Sequence, residues 1–157
     1  MKLSNIKYFC TVNGDGFRTA VFVSGCNLHC KGCFNAKAWD FEYGFDLTDE
    51  LIEKILASIE PSYISGLSIL GGEPMDVKNQ EGVYRIIKAF RERFGDSKDV
   101  WMWSGYYINN IPQTEYTEDI IDSLDVLVDG PFEIDKADVK LVHKGSSNQN
   151  VHYLKKK

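Results

Sequence analysis

The sequence predicts an α/β fold, a mostly parallel sheet left open as a partial βα barrel, in a single domain over residues 1–157. Three observations predict it. Short β-branched or aromatic runs alternate with segments of helical hydrophobic period, and each run ends in a glycine-bearing turn. The 157 residues also fall short of the roughly 250 of a complete eightfold barrel. Parallel neighbours need a crossover, which a helix supplies, and right-handed crossovers curl such a sheet in one direction.

The first run is Ala20 to Val23, a buried strand ending at Ser24-Gly25. Leu51, Ile52, Ile55, Leu56 and Ile59 then repeat at helical spacing, with Thr48 as N-cap and Asp49 and Glu50 in the positive first turn. Leu47 is placed to staple against Ile52, and Pro61 marks the end of the helix. Leu67 to Leu70 forms the second strand, punctuated by Gly71-Gly72, and Val83, Ile86, Ile87, Phe90 and Phe94 form a second helix closed by Gly95. Val100 to Trp103 is the third strand. A short helix from Thr117 to about Ser123 leads into the fourth, Val126 to Val128, broken by Asp129-Gly130-Pro131. Ligands of parallel α/β folds bind at the carboxyl ends of strands, where Cys26, Gly71-Gly72, Ser104-Gly105 and Asp129-Gly130 all fall. No repeat or low-complexity stretch interrupts the pattern apart from the Lys155 to Lys157 tail, expected to be solvated.

A formal charge of −5 argues against a nucleic-acid partner, which would need a basic face to neutralise phosphates. No segment approaches the roughly 18 consecutive apolar residues of a membrane span, and Met1 to Cys10 lacks the layout of a secretory signal. A cytoplasmic location is the expectation. Three of the four cysteines crowd into Cys26 to Cys33, which fits a metal site in a reducing compartment better than two disulfides. Cys10 stands apart and reads as a small buried hydrophobe.

The spacing Cys26-x-x-x-Cys30-x-x-Cys33 points three thiolates at one volume. Thiolates are soft ligands for iron-sulfur clusters or zinc. A structural zinc site closes its tetrahedron with a fourth ligand and would have to recruit His29, Cys10 or a distant histidine such as His143. On a 4Fe-4S cube, three cysteines instead leave one iron open. Gly71-Gly72 alone reads as a plain turn or as a place of close backbone approach. Glu73 reads as an acceptor helping to fix its loop and an ammonium group, or as a solvated loop acid, and Pro74 holds it extended.

The CxxxCxxC triplet directly after the first strand, followed by Gly71-Gly72-Glu73-Pro74 after the second, resembles the radical S-adenosylmethionine superfamily. That resemblance implies a 4Fe-4S cluster held by Cys26, Cys30 and Cys33, with S-adenosyl-L-methionine chelating the open iron and the GGEP segment at its methionine amino group. Asn35, Ser104 and Asp129 are expected cofactor contacts on the same rim. Many members carry an aromatic residue just before the last cysteine, where Gly32 stands here; the aromatic follows instead, as Phe34. Gly32-Cys33-Phe34-Asn35 is similar to the activating enzymes of anaerobic, class III ribonucleotide reductase. So are Asn13-Gly14-Asp15-Gly16-Phe17-Arg18, Trp39, Trp103-Ser104-Gly105-Tyr106, Val126 to Phe132 and Gly145-Ser146-Ser147-Asn148-Gln149. Asp15 and Phe17 stand where those enzymes usually show a proline-glycine type of sequence.

The family implies reductive cleavage of S-adenosylmethionine to methionine and a 5′-deoxyadenosyl radical, which takes a hydrogen atom from a glycine of the reductase large subunit. A reduced flavodoxin- or ferredoxin-like protein is the implied electron donor. The open rim is expected to accept the glycine-bearing loop, with Trp101, Trp103, Tyr106 and Tyr107 either touching that partner or serving as core. Arg18 reads as facing cofactor or partner, or as an ordinary surface ion pair. The alternatives are another small radical S-adenosylmethionine enzyme (a different glycyl-radical activase or a deazapurine synthase), a non-enzymatic iron-sulfur electron carrier, and a structural zinc module.

Overall fold

A computed structural model describes residues 1–155. Lys156 and Lys157 of the predicted solvated tail lie outside the described residues; Lys155 places its ammonium 3.8 Å from Asp96. The chain runs β1 (Lys2–Cys10), β2 (Phe17–Val23), β3 (Phe45–Asp46), α1 (Asp49–Ile59), β4 (Ile64–Gly71), α2 (Gln80–Phe94), β5 (Asp99–Trp103), α3 (Thr117–Ser123), β6 (Val126–Asp129) and β7 (Asn150–Tyr153). All strands join one sheet in the order β3-β1-β2-β4-β5-β6-β7. The two end strands are not neighbours, so the sheet is open.

The expectation of a mostly parallel sheet is corrected: the sheet is mixed. Its centre, β2-β4-β5-β6, is parallel throughout. β1 pairs antiparallel with β2 and with β3, and β7 pairs antiparallel with β6. The predicted βα alternation describes the parallel centre alone. It passed over β1 because only Leu3 and Cys10 are buried in that strand and register irregularities break its alternation. β3 has two residues, and the four of β7 are half-buried or exposed.

Each new parallel strand is added on the same side of the last, so right-handed crossovers deliver all three helices to one face. Alternating strand residues follow that division. Val21, Val23, Leu67, Ile69, Val100, Met102 and Leu127 join one core with Ile52, Ile55 and Ile59 of α1, Val83, Ile86 and Phe90 of α2, and Ile120 of α3. Thr48 caps α1 as predicted, its hydroxyl accepting from the Leu51 N–H at 3.1 Å, and Leu47 is buried in the same core. The other face presents Arg18, Phe22, Ser68, Leu70, Trp101 and Trp103, covered by loops.

Arg18 lies on that second face, wholly buried, and is neither a surface pair nor a cofactor contact. Its guanidinium meets the Asp99 carboxylate at 2.6 Å and donates to Ser68 Oγ at 2.7 Å and to the carbonyls of Asp15 and Leu67 at 3.0 and 2.9 Å. The Trp101 ring lies 5.5 Å from it. This knot ties the loop before β2 to the middle of β4 and the start of β5, beneath the rim that carries the cysteines. Removing one partner of a buried pair leaves the other charge uncompensated, so Arg18→Ala is expected to lower the unfolding free energy by about 3–5 kcal/mol in urea titration. A loss under about 1 kcal/mol would show the knot to be dispensable.

Candidate metal centre and its cavity

The carboxyl ends of the four parallel strands surround a cavity of about 550 Å³. Cys26, Cys30 and Cys33 line it together with Phe22 from the end of β2, Leu70 to Glu73 from β4, Trp103 to Gly105 from β5 and Gly130 after β6. All four cysteines are unbridged, and Cys10 is buried as expected. Among the described residues no group of three His, Cys, Asp or Glu is arranged to hold a single metal ion. A cubane suits thiols spread around one volume, because each binds a different corner. The donor set of three soft thiols fits an iron-sulfur cluster better than a closed zinc site, because His143, which also lines the cavity, turns its Nε2 to Asp15 at 3.1 Å.

Main-chain geometry holds the cysteine loop. The Gly25 N–H donates to the Ala38 carbonyl at 2.6 Å and the Cys26 N–H to that of Trp39 at 3.1 Å, so the two ends of the loop are zipped together. Burial pushes the Cys26 thiol up, opposed by hydrogen bonds from the backbone of Leu28 and His29. The Asn35 N–H points at Cys33 Sγ at 3.4 Å. N–H groups aimed at sulfur stabilise the thiolate that a metal needs.

The turn after β4 locks onto this loop. Gly72 N–H donates to the Val23 carbonyl and Glu73 N–H to that of Gly25, both at 2.8 Å. A Cβ on Gly72 would lie 2.6 Å from the Gly25 oxygen and 2.9 Å from that of Ala38. The close approach that requires glycine here is thus to the protein's own backbone beside Cys26. Gly71 has φ +124, and a Cβ there would strike Val23 N at 2.4 Å.

Glu73 is wholly buried, so it is no solvated loop acid, and it fixes its loop as an acceptor. One carboxylate oxygen accepts from the Gly105 N–H at 2.6 Å; the other accepts from the Met75 N–H at 2.8 Å and from Ser104 Oγ at 2.7 Å. Ser104 and Gly105 are thereby drawn to the turn after β4. Burial outweighs these donors and raises the Glu73 pKa to about 7. Pro74 is buried behind the turn, outside the cavity lining, and Asn35 lines the cavity.

Asp129 sits apart from the lining. Its carboxylate accepts from the Ile108 N–H at 2.8 Å and Asn150 Nδ2 at 3.2 Å and lies 3.0 Å from His152 Nε2, so it joins β6, β7 and the loop after β5. The Gly145–Gln149 motif builds the facing wall: Gln149 donates to the Gly130 carbonyl at 2.9 Å and accepts from Gly145 N–H at 2.8 Å, and Asn148 donates to that of Pro131 at 2.8 Å.

Asn79 was missed by sequence reasoning. It stands at the N-cap position of α2, where an asparagine reads as an ordinary cap. Its side chain makes no cap bond. Instead Nδ2 donates to the carbonyls of Ser24, Gly25 and Glu73 at 3.2, 3.3 and 2.9 Å, bracing both site turns from below.

Fold and cavity together define a small α/β domain with three free thiols on one cavity, and the sequence profile described as "4Fe-4S single cluster domain" matches residues 12–152. Curated relatives extend over nearly the whole chain. A protein of Pasteurella multocida is 36% identical over 154 residues, 96% of this chain and 97% of its own. One of Vibrio cholerae is 38% identical over 143 residues, 90% of each, and one of Enterobacteria phage T4 is 34% identical over 140, covering 89% of this chain and 86% of its own. All three are named anaerobic ribonucleoside-triphosphate reductase-activating protein. The chain belongs to that family.

Two outcomes test this geometry. Gly72→Ala is expected to lose about 1–3 kcal/mol, and to lose iron binding together with cofactor binding because the displaced atoms flank Cys26. Normal iron loading with impaired cofactor binding would instead place the tight approach at the cofactor. For Glu73 the folded pKa lies above the unfolded one, so its contribution is full below about pH 4.5 and is lost as pH rises to about 7. Glu73→Gln removes that slope; stability curves of the two proteins that stay parallel from pH 4 to 8 would contradict the assignment.

Proposed function

We propose that the chain is the activating enzyme of an anaerobic ribonucleoside-triphosphate reductase, and that it works as a radical S-adenosylmethionine enzyme on a partial barrel formed by the parallel centre of its sheet. The convergence of three free thiols and of Gly71, Gly72 and Glu73 on one cavity supports this reading most directly. Cys26, Cys30 and Cys33 would hold the 4Fe-4S cluster. Its chemistry, with an electron from a reduced flavodoxin- or ferredoxin-like donor, is cleavage of S-adenosylmethionine bound at the open iron and, through the nucleoside fragment, removal of hydrogen from a reductase glycine to leave a glycyl radical.

The chain's own part is binding and shielding. The turn after β4 and Ser104-Gly105 form one fixed wall because Glu73 joins them. Leu28, Leu70, Trp103 and Phe132 add an apolar surface that excludes water. No general acid or base is required. Asp129, tied to Ile108, Asn150 and His152, positions the rim behind this wall.

The protein substrate is proposed to enter beside Cys33. Phe34 is 93% exposed there. Its ring lies 5.5 Å from that of Phe132, and Ile134 packs over Gly32. This apolar edge at an open mouth is a more natural docking surface than Trp101, Trp103, Tyr106 and Tyr107. Trp101 is buried, Tyr106 and Tyr107 are half-buried, and Trp103 donates to the His143 carbonyl at 2.7 Å. No helix among the described residues is long and apolar enough to cross a membrane. Unbridged thiols suit the reducing cytoplasm, where we place the activity.

Anaerobic reconstitution followed by assay of 5′-deoxyadenosine, with and without an anaerobic reductase, tests the reading. Nucleoside release and a glycyl radical signal on the reductase are expected. Cys30→Ala should abolish both while retaining helical circular dichroism. Release without any glycyl signal would favour another small radical S-adenosylmethionine enzyme, and an electron carrier would release no nucleoside.

A further inference from the structure

The cysteine loop has two sides. Inward, Cys26, Cys30 and Cys33 line the cavity, whereas Lys31, Lys37 and Lys78 are exposed and line none of it. Charge is spread unevenly around that outer side. The chain carries 23 acidic residues against 18 lysines and arginines, yet no acid falls between Gly16 and Trp39. Lys31 and Lys37 therefore stand unopposed within the loop, and the fold adds a third cation from another segment. The Phe41 ring packs on Gly25, where a Cβ would meet it at 2.1 Å, and the Lys78 ammonium lies 4.8 Å from the centre of that ring. Asn27 of the loop donates to Asp76 at 3.0 Å, which fastens the segment carrying Lys78 to the loop. Acids of neighbouring segments are engaged elsewhere: Glu42 and Asp46 lie 3.8 and 3.5 Å from the Lys2 ammonium, and Asp76 is buried. Asp40 adjoins the loop in sequence, and its carboxylate accepts from the Glu42 N–H at 2.9 Å.

We infer that this outer face is where the electron donor docks, an acidic one-electron-carrying protein whose carboxylates meet Lys31, Lys37 and Lys78. The inference deepens the proposed function and rests on the cluster held by the three cysteines. One electron leaves the donor's reduced cofactor and enters the oxidised cluster; no bond forms or breaks and no proton moves. Charge complementarity selects an acidic occupant, and it acts chiefly on the rate of encounter. The docked donor is then separated from the thiols only by the loop that carries them. The edge at Phe34, Phe132 and Ile134 is apolar, so the glycine-bearing partner requires none of these ammonium groups.

Lys37→Glu combined with Lys78→Glu reverses two charges and leaves Lys31, which stands between two ligands, in place. Reduced flavodoxin, an acidic flavoprotein, is mixed with reconstituted wild type and variant, and cluster reduction is followed by stopped flow at low and at physiological salt. At low salt the second-order rate constant should fall about tenfold or more in the variant, and the slowing that salt causes in wild type should largely disappear. With dithionite as reductant the two proteins should release 5′-deoxyadenosine equally. Equal flavodoxin rates would overturn the inference, as would a wild-type cluster that dithionite reduces and flavodoxin does not. Equal losses with both reductants would also overturn it and give the lysines to the site itself. A normal flavodoxin rate with weakened binding of the reductase would assign the face to that partner instead. If the double variant loads little iron, Lys37→Gln with Lys78→Gln is measured in its place, with a smaller fall expected and the same contrary outcomes. Wild type that holds no cluster would refute the cysteine assignment on which the inference rests.

Discussion

The close approach of two backbone turns organises this molecule. The turn after β4 and the loop after β2 touch through main-chain hydrogen bonds from Gly72 and Glu73 to Val23 and Gly25. No side chain fits at Gly72, where a Cβ would sit within 2.6 Å of a carbonyl oxygen. Because Gly25 immediately precedes Cys26, the position of the first thiol depends on this contact. Asn79 secures it from below with a single amide shared among three carbonyls. The parallel pairing of β2 with β4 makes the approach possible, since it delivers both strand ends to one rim in register, Val23 opposite Gly71.

Electrostatics extend that contact across the cavity. Glu73 would be a poor buried residue by itself, because desolvation penalises its charge. Three donors from two separate segments compensate in part, and in doing so they fix the turn after β5 to the turn after β4. The acid that a family motif presents as a ligand contact is, in this fold, first a fastener of the wall. Arg18 and Asp99 play a comparable part beneath the rim, where a buried pair joins the loop before β2 to β5. Both devices spend charge on holding loops, which otherwise move more than the elements they connect.

The parallel core and the three helices were legible in sequence because each buries one periodic face, and the apolar positions of α1 and α2 recur in the core. The cysteine loop and the glycine turn were legible because their residue types are demanding and their order along the chain is fixed by the strands. β1 and β7 were not. Their residues lie at the flanks of the sheet, where one-sided burial leaves little hydrophobic pattern, and their antiparallel pairing makes the sheet mixed. Arg18 misled for another reason: a charged residue reads as surface until its partner, 81 positions away in sequence, is known to be adjacent. Asn79 misled because the cap position is an ordinary place for asparagine, and only the fold reveals three carbonyls within its reach.

The whole functional account depends on three protein thiols leaving one iron of a cube free. Mössbauer spectroscopy of protein reconstituted anaerobically with iron-57 measures this directly. One iron in four should differ from the rest, and its isomer shift should increase when S-adenosylmethionine is added. Four irons that remain alike and unmoved by the nucleoside would show that a fourth protein ligand saturates the cluster, contradicting three-thiol ligation.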